Sequence, residues 1–190
     1  MNRKDLLHDL YNRLYGAFGP RHWWPGDSPF EVAVGAILTQ STAWRNAEKA
    51  IANLKANDLL SPDTLHQLTA EELAVYIKPA GYYNIKAKRL KHFLDYLFRQ
   101  GEGNLACLST GDLESVRSEL LHINGIGPET ADSILLYAAG RPTFVVDAYT
   151  KRILARHQVM AEDVTYEEVR EFFMDVLDPA VHIFNEFHAL

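Results

Sequence analysis

LHINGIGPETADSILLYAAGRPTFVVDAYTKRI, residues 121–153, contains two features that constrain everything around it. Gly125-Ile126-Gly127 lies between two helical patterns, so the turn is tight and its backbone is uncovered. The next helix begins at Pro128, whose missing N–H is one the first helical turn does not use. The free N–H groups of such a turn, with the positive end of the helix dipole, form a site for one phosphate oxygen. Taken alone, the turn favours a plainer alternative, an αα-hairpin whose glycines serve geometry only. Downstream, Val145-Val146 leads directly into Asp147, ahead of a helix predicted over Ala148–Arg156. Aspartate is a strong N-cap, and capping by itself would account for the residue.

Working outward, the apolar spacing is helical nearly throughout. Leu6, Leu7, Leu10, Leu14 and Phe18 form one stripe, broken at Gly16 and at Gly19-Pro20. Ser28-Pro29 supplies an N-cap and N1 pair before the run Phe30 to Leu38. Helices are predicted at about Ala43–Leu54, after Ser61-Pro62, after the capping box at Thr69 to Glu72, and over Asn84–Gln100. Further helices are expected at about Asp112–Leu120, Glu129–Ala139 and Tyr166–Val176. Thr143 to Val146 is the one strand-like run, too short and isolated to found a sheet. The expected fold is therefore all-α, with nine or ten helices, no repeat of fixed period and no low-complexity linker.

Composition sets outer limits. The chain has 190 residues, 47% hydrophobic and 23% charged, as expected of a folded protein of one domain or two small lobes. No uncharged apolar run approaches the ~18 residues that cross a membrane, and the N-terminus is amphipathic rather than a signal peptide. The single cysteine, Cys107, excludes an internal disulfide framework and any cysteine-held cluster. A reducing, cytoplasmic setting and no cofactor are expected. The net charge of −6 argues weakly against a nucleic-acid partner. However, positive charge clusters at Lys78, Lys86, Lys88, Arg89 and Lys91, and again at Arg141, Lys151, Arg152 and Arg156.

The hairpin Ile123 to Gly127, Thr130-Ala131 in the following helix, and Val146-Asp147 about twenty residues on resemble the helix-hairpin-helix, Gly-Pro-Asp superfamily of DNA glycosylases, typified by endonuclease III. Three further blocks resemble that family in order and spacing. They are Pro29-Phe30-Glu31, Ala36-Ile37-Leu38-Thr39-Gln40, and Gly81 to Lys88. The resemblance covers roughly residues 28–157.

The resemblance implies two helical lobes. Residues 28–134 would form a helical barrel ending in the hairpin (about 121–134), and residues 1–27 and 135–190 would form a second lobe carrying the catalytic aspartate. Double-stranded DNA with a damaged base would lie across the cleft, bound by a monomer, in a cytoplasmic, nucleoid-associated setting. Asp147 would stabilise positive charge on the sugar as the glycosidic bond breaks, or orient the attacking water. Glu129 stands where relatives carry a Schiff-base lysine, and a carboxylate cannot form that adduct. The implied activity is thus a monofunctional base-excision-repair glycosylase without efficient AP lyase chemistry.

Gln40 matches a residue that enters the gap left by a flipped nucleotide, and Tyr82 a wedge at the same gap. Lys86, Lys88, Gly125, Gly127, Thr130 and Lys151 complete the implied DNA contacts. Backbone carbonyls of Ile123 and Gly125 are the candidate ligands for a monovalent cation. Trp23-Trp24 in a loop suits stacking on a cationic, alkylated base, and a similar Trp-Trp-Pro block occurs in 3-methyladenine glycosylases of the endonuclease III type. Many relatives continue into a four-cysteine iron–sulfur loop, whereas this chain ends at Leu190 with Cys107 in a different region. The alternatives are a bifunctional glycosylase/AP lyase, a thymine-mismatch glycosylase, and a non-catalytic module that binds damaged DNA.

Overall fold

The computed structural model describes residues 2–190 and is all-α, with no strand among them. Twelve α-helices follow in order: α1 (Arg3–Phe18), α2 (Pro29–Leu38), α3 (Trp44–Ala56), α4 (Pro62–Gln67), α5 (Ala70–Tyr76), α6 (Tyr83–Gly101), α7 (Ala106–Ser109), α8 (Leu113–Leu121), α9 (Pro128–Ser133), α10 (Ala148–Arg156), α11 (Tyr166–Met174) and α12 (Val181–Ala189). Two of these exceed the expectation. The four residues of α7 are too few to show a period, and α12 lies at the extreme end of the apolar pattern. Among the described residues, no helix is long and apolar enough to cross a membrane.

Two compact units are present. The inserted unit is Gly26–Ala139, and the terminal unit combines the chain up to Pro25 with Gly140–Leu190. The division expected after residue 134 would cut a helix. α9 runs on through a wide π-type turn at Ile134–Ala138, and the chain leaves it only at Gly140, where φ is +63°.

At the centre of the inserted unit is α2, in which every residue from Phe30 to Leu38 is buried. A helix apolar all round belongs inside a bundle, and α2 packs against α3, α6, α9 and the π-type turn. Ser28 caps it by accepting from the Glu31 N–H at 3.2 Å. The nearly buried Glu31 carboxylate is matched by Lys55 at 2.7 Å. Capping boxes at Ser61/Thr64 and Thr69/Glu72 start α4 and α5. The hairpin helices α8 and α9 are joined by a buried bidentate pair: Arg117 donates to Asp132 at 2.9 and 3.0 Å. Removing one partner from such a pair strands the other charge in the core.

In the terminal unit, the strand-like run becomes extended backbone without a partner strand. Thr143, Phe144, Val145 and Val146 are all buried. Phe144 stacks on Phe173 at 3.8 Å and meets Phe184 and Phe187 edge-on. Thr143 accepts from the buried Arg170 guanidinium at 3.0 Å. This extended segment ends at the cap of α10, where Asp147 stands.

Candidate active site and hairpin

The hairpin lies in the inserted unit, and its two glycines differ physically. Gly125 has φ +94°, and a Cβ there would sit 2.3 Å from Arg89 Cγ. Both the backbone and the packing therefore demand glycine. Gly127 is extended (φ −95°, ψ 177°), and a Cβ there would meet nothing within 4 Å. Neither strain nor packing explains its small size, which leaves room for something to approach the backbone from outside. Among the described residues, the N–H groups of Gly125 and Gly127 donate to no protein acceptor. Turn N–H groups facing outward at a helix start can receive a phosphate oxygen.

Gln40 spans the hairpin. Its Nε2 donates to the Gly125 carbonyl at 3.0 Å and to Thr130 Oγ1 at 2.9 Å, while its Oε1 accepts from Arg89 Nη1. Three predicted residues, Gln40, Gly125 and Thr130, are thus brought together. Yet both ends of the Gln40 amide are engaged inside the protein, and the Thr130 side chain is buried. Arg89 is an unpredicted member of this cluster, because nothing in its sequence neighbourhood distinguishes it from the other basic residues of α6. The carbonyls expected to hold a cation already accept one bond each, Ile123 from Ile126 N–H at 3.0 Å and Gly125 from Gln40. No cluster of acidic, histidine or cysteine side chains suited to a metal occurs among the described residues.

Lys86 is a correction. Its expected DNA contact is not available, because the side chain is only 1% exposed. It lies on the inward stripe of α6 with Leu90, Phe93 and Leu97. There Nζ donates to the Leu38 carbonyl at 2.9 Å and the Ala80 carbonyl at 2.7 Å. These are the last residues of α2 and of the short 3-10 turn at Lys78–Ala80, so one ammonium satisfies two helix ends. Burial, with Arg89 nearby, lowers its pKa to about 8. Lys88 is exposed. Tyr82 projects from the start of α6, 69% exposed, on a residue with φ +45°. Exposure of a large aromatic at a helix tip suits a wedge.

Asp147 belongs to the terminal unit. Its Oδ1 accepts from the Thr150 N–H at 2.7 Å and from Thr150 Oγ1 at 2.8 Å, forming a capping box. Its Oδ2 accepts no hydrogen bond among the described residues. Thr150 therefore fixes the carboxylate through one of its two oxygens. Asp147 lines a cavity of about 340 Å³ with Leu10, Leu14, Tyr149, Ile153, Phe187 and His188 among its walls. Burial pushes the His188 imidazole below its ordinary pKa, while the Asp147 carboxylate pulls it up. His188, near the end of the chain, carried no sequence signal. Tyr149 is exposed beside Asp147, with the Arg152 guanidinium 4.6 Å from its ring centre. Lys151 turns to the Val164 carbonyl at 2.9 Å.

Trp23 and Trp24 are half-buried, with ring centres 5.5 Å apart and a 45° tilt, and they do not line the cavity at Asp147. The backbone before them is held by Glu186, which accepts from the Arg21 and His22 N–H groups at 2.6 and 2.9 Å. Glu129 stands exposed in the first turn of α9.

Residues 34–179 match the model of the HhH-GPD superfamily of base excision DNA repair proteins. A Methanocaldococcus jannaschii protein, provisionally named a DNA repair glycosylase, is 44% identical over 191 residues, covering all of this chain and 86% of the relative. Escherichia coli endonuclease III is 30% identical over 152 residues, which is 79% of this chain and 66% of that enzyme. Among solved structures, Helicobacter pylori 3-methyladenine DNA glycosylase bound to 1,N6-ethenoadenine superposes with a TM-score of 0.80 at 27% identity. That alignment covers 100% of this chain and 94% of the other.

Proposed function

Since the chain belongs to the HhH-GPD superfamily of base excision DNA repair proteins and is a DNA repair glycosylase, we propose that it is a monofunctional enzyme releasing alkylated bases, with Asp147 as its catalytic carboxylate. The observation that carries this reading is the divided use of that carboxylate. Oδ1 is pinned by Thr150, and Oδ2 stays available without reorganisation. A fixed negative charge beside C1′ is worth most in the transition state, where the sugar becomes oxocarbenium-like.

The chemistry balances simply. The C1′–N bond breaks with its electron pair going to the base, water adds to C1′, and the proton of that water passes to Asp147 or solvent. A base already positive from alkylation departs neutral and needs little protonation. A carboxylate and a water therefore suffice. Such a base also suits aromatic faces such as Trp23 and Trp24, and the whole-chain similarity to a 3-methyladenine glycosylase supports the same class.

Lyase chemistry would need a reachable amine of lowered pKa. Glu129 occupies the position expected for it. Lys86 has the lowered pKa, near 8, but is sealed in the core with two carbonyl partners.

The test is base release from methylated duplex DNA, resolved by chromatography, with Asp147→Asn in parallel. Asparagine caps helices about as well as aspartate, so the variant should keep its stability to within ~0.5 kcal/mol. Its release of 3-methyladenine should fall about 100-fold or more. Borohydride should trap no covalent adduct on abasic DNA. Equal release by both proteins would remove Asp147 from the mechanism, and a trapped adduct would overturn the monofunctional reading. Absence of release from methylated DNA, with activity on T:G or U:G mismatches, would transfer the substrate to the mismatch class.

A further inference from the structure

Gln40 and Arg89 are far apart in sequence from the hairpin they touch. Gln40 Nε2 holds the Gly125 carbonyl and Thr130 Oγ1 at 3.0 and 2.9 Å. Arg89 Nη1 holds the other end of the same amide. The aliphatic stem of Arg89 also lies against the Cα of Gly125, close enough that a Cβ would fall 2.3 Å from Cγ, 2.8 Å from Cδ and 2.9 Å from Nε. The turn is thus gripped at its carbonyl, at the first turn of α9 and on its Cα. The Gly125 and Gly127 N–H groups donate to no protein acceptor among the described residues, and Gly127 is exposed.

We propose that Gln40 and Arg89 are positioning residues that clamp the hairpin turn in the conformation presenting its N–H groups to DNA phosphate, and that Gln40 keeps this post when DNA is bound. The inference rests on the reading of the hairpin as a DNA contact. It differs from the expectation that Gln40 fills the gap beside a flipped nucleotide. To fill a gap, the amide would have to give up all three partners at once, leaving the half-buried Arg89 guanidinium and the buried Thr130 hydroxyl to find others.

The two roles separate on undamaged DNA. A phosphate contact made by backbone N–H groups is independent of sequence and lesion, so a loosened hairpin weakens binding to any duplex. A gap-filling residue affects only DNA with an extruded or missing base.

Gln40→Met and Arg89→Met keep the side-chain volume and, at Arg89, the stem over Gly125, while removing the polar grip. Each variant should bind undamaged duplex about tenfold more weakly, on the order of one lost hydrogen bond. The double variant should be no weaker than either single one, because the residues act as one unit. In the free protein, exchange of the Ile126 and Ala131 amides, which are bonded to Ile123 and Gly127, should speed up about tenfold. That readout involves no DNA, so it stands or falls independently of the proposed activity.

Unchanged binding to undamaged duplex with weakened binding to an abasic-site analogue would overturn the clamp in favour of gap filling. Additive effects, or a salt slope lowered by ~0.9 in Arg89→Met, would overturn it in favour of a direct phosphate contact. Unchanged amide exchange would overturn it outright.

Discussion

Replacing each hairpin glycine with alanine should separate folding from DNA binding within three residues. At Gly125 the added methyl group meets two penalties. With φ at +94°, an L-residue costs ~1–2 kcal/mol. The new Cβ also lies under 3.0 Å from three Arg89 atoms, so the arginine must leave and its bond to Gln40 is lost, about 1 kcal/mol more. Gly125→Ala should therefore lose roughly 2–3 kcal/mol, a fall in Tm of about 4–12 °C for a chain of this length. Gly127→Ala meets neither penalty. Its φ is −95° and the space around a Cβ is open; the gain through the unfolded chain is offset by alanine's poorer N-capping of α9, so stability should change by less than about 1 kcal/mol. A methyl group on this exposed residue should hinder close approach of a phosphate to the turn backbone. Losing a charge-assisted bond to phosphate should weaken duplex binding by about 10- to 100-fold. Thermal unfolding and fluorescence anisotropy with a labelled undamaged duplex measure the two quantities. If Gly127→Ala melted as early as Gly125→Ala, or bound duplex as wild type does, the assignment of the two glycines would be refuted.

Two more outcomes follow from the corrected and the newly found residues. Lys86→Ala should cost about 2–4 kcal/mol, since it opens a core cavity and leaves two carbonyls unsatisfied, yet it should leave the salt dependence of DNA binding unchanged. Lys88→Ala should do the reverse, lowering the slope of log K against log[salt] by ~0.9 without affecting Tm; equal slopes for the two variants would refute this division. His188 titrates below its ordinary 6.5 in the fold because of burial, with Asp147 limiting the shift. As pH falls through 6.5 the unfolded chain takes up the proton first, so stability present above that pH is lost below it. Melting curves across that range should fall more steeply for wild type than for His188→Gln, and parallel curves would contradict the buried, neutral ring.

Some site residues were legible because their physics is local. Asp147 caps α10 through a residue three positions away, and Pro128 opens α9 by its own ring geometry. The capping boxes at Ser61 and Thr69 close within three residues as well. Lys86 carries two opposed local signals, its charge and its helical position. Its spacing to Leu90, Phe93 and Leu97 places it on the apolar stripe, and the helical period decides its direction where charge alone suggests solvent. The chain beyond Ile134 looked like ordinary α-helix, because one wide turn alters no residue type.

By itself, then, the sequence determined the all-α class, most helix starts, the hairpin and the position of the capping aspartate, since each depends on hydrogen bonds and periodicities spanning a few residues. Tertiary structure alone decided that Gln40 grips a turn 85 positions away. It also decided that Arg89 makes Gly125 obligatory while Gly127 stays open, that Lys86 closes two helix ends, and that His188 shares a cavity with Asp147. Those outcomes depend on which helix faces come together when the apolar surface is buried, and burial is non-directional, so local pattern carries no record of the partner.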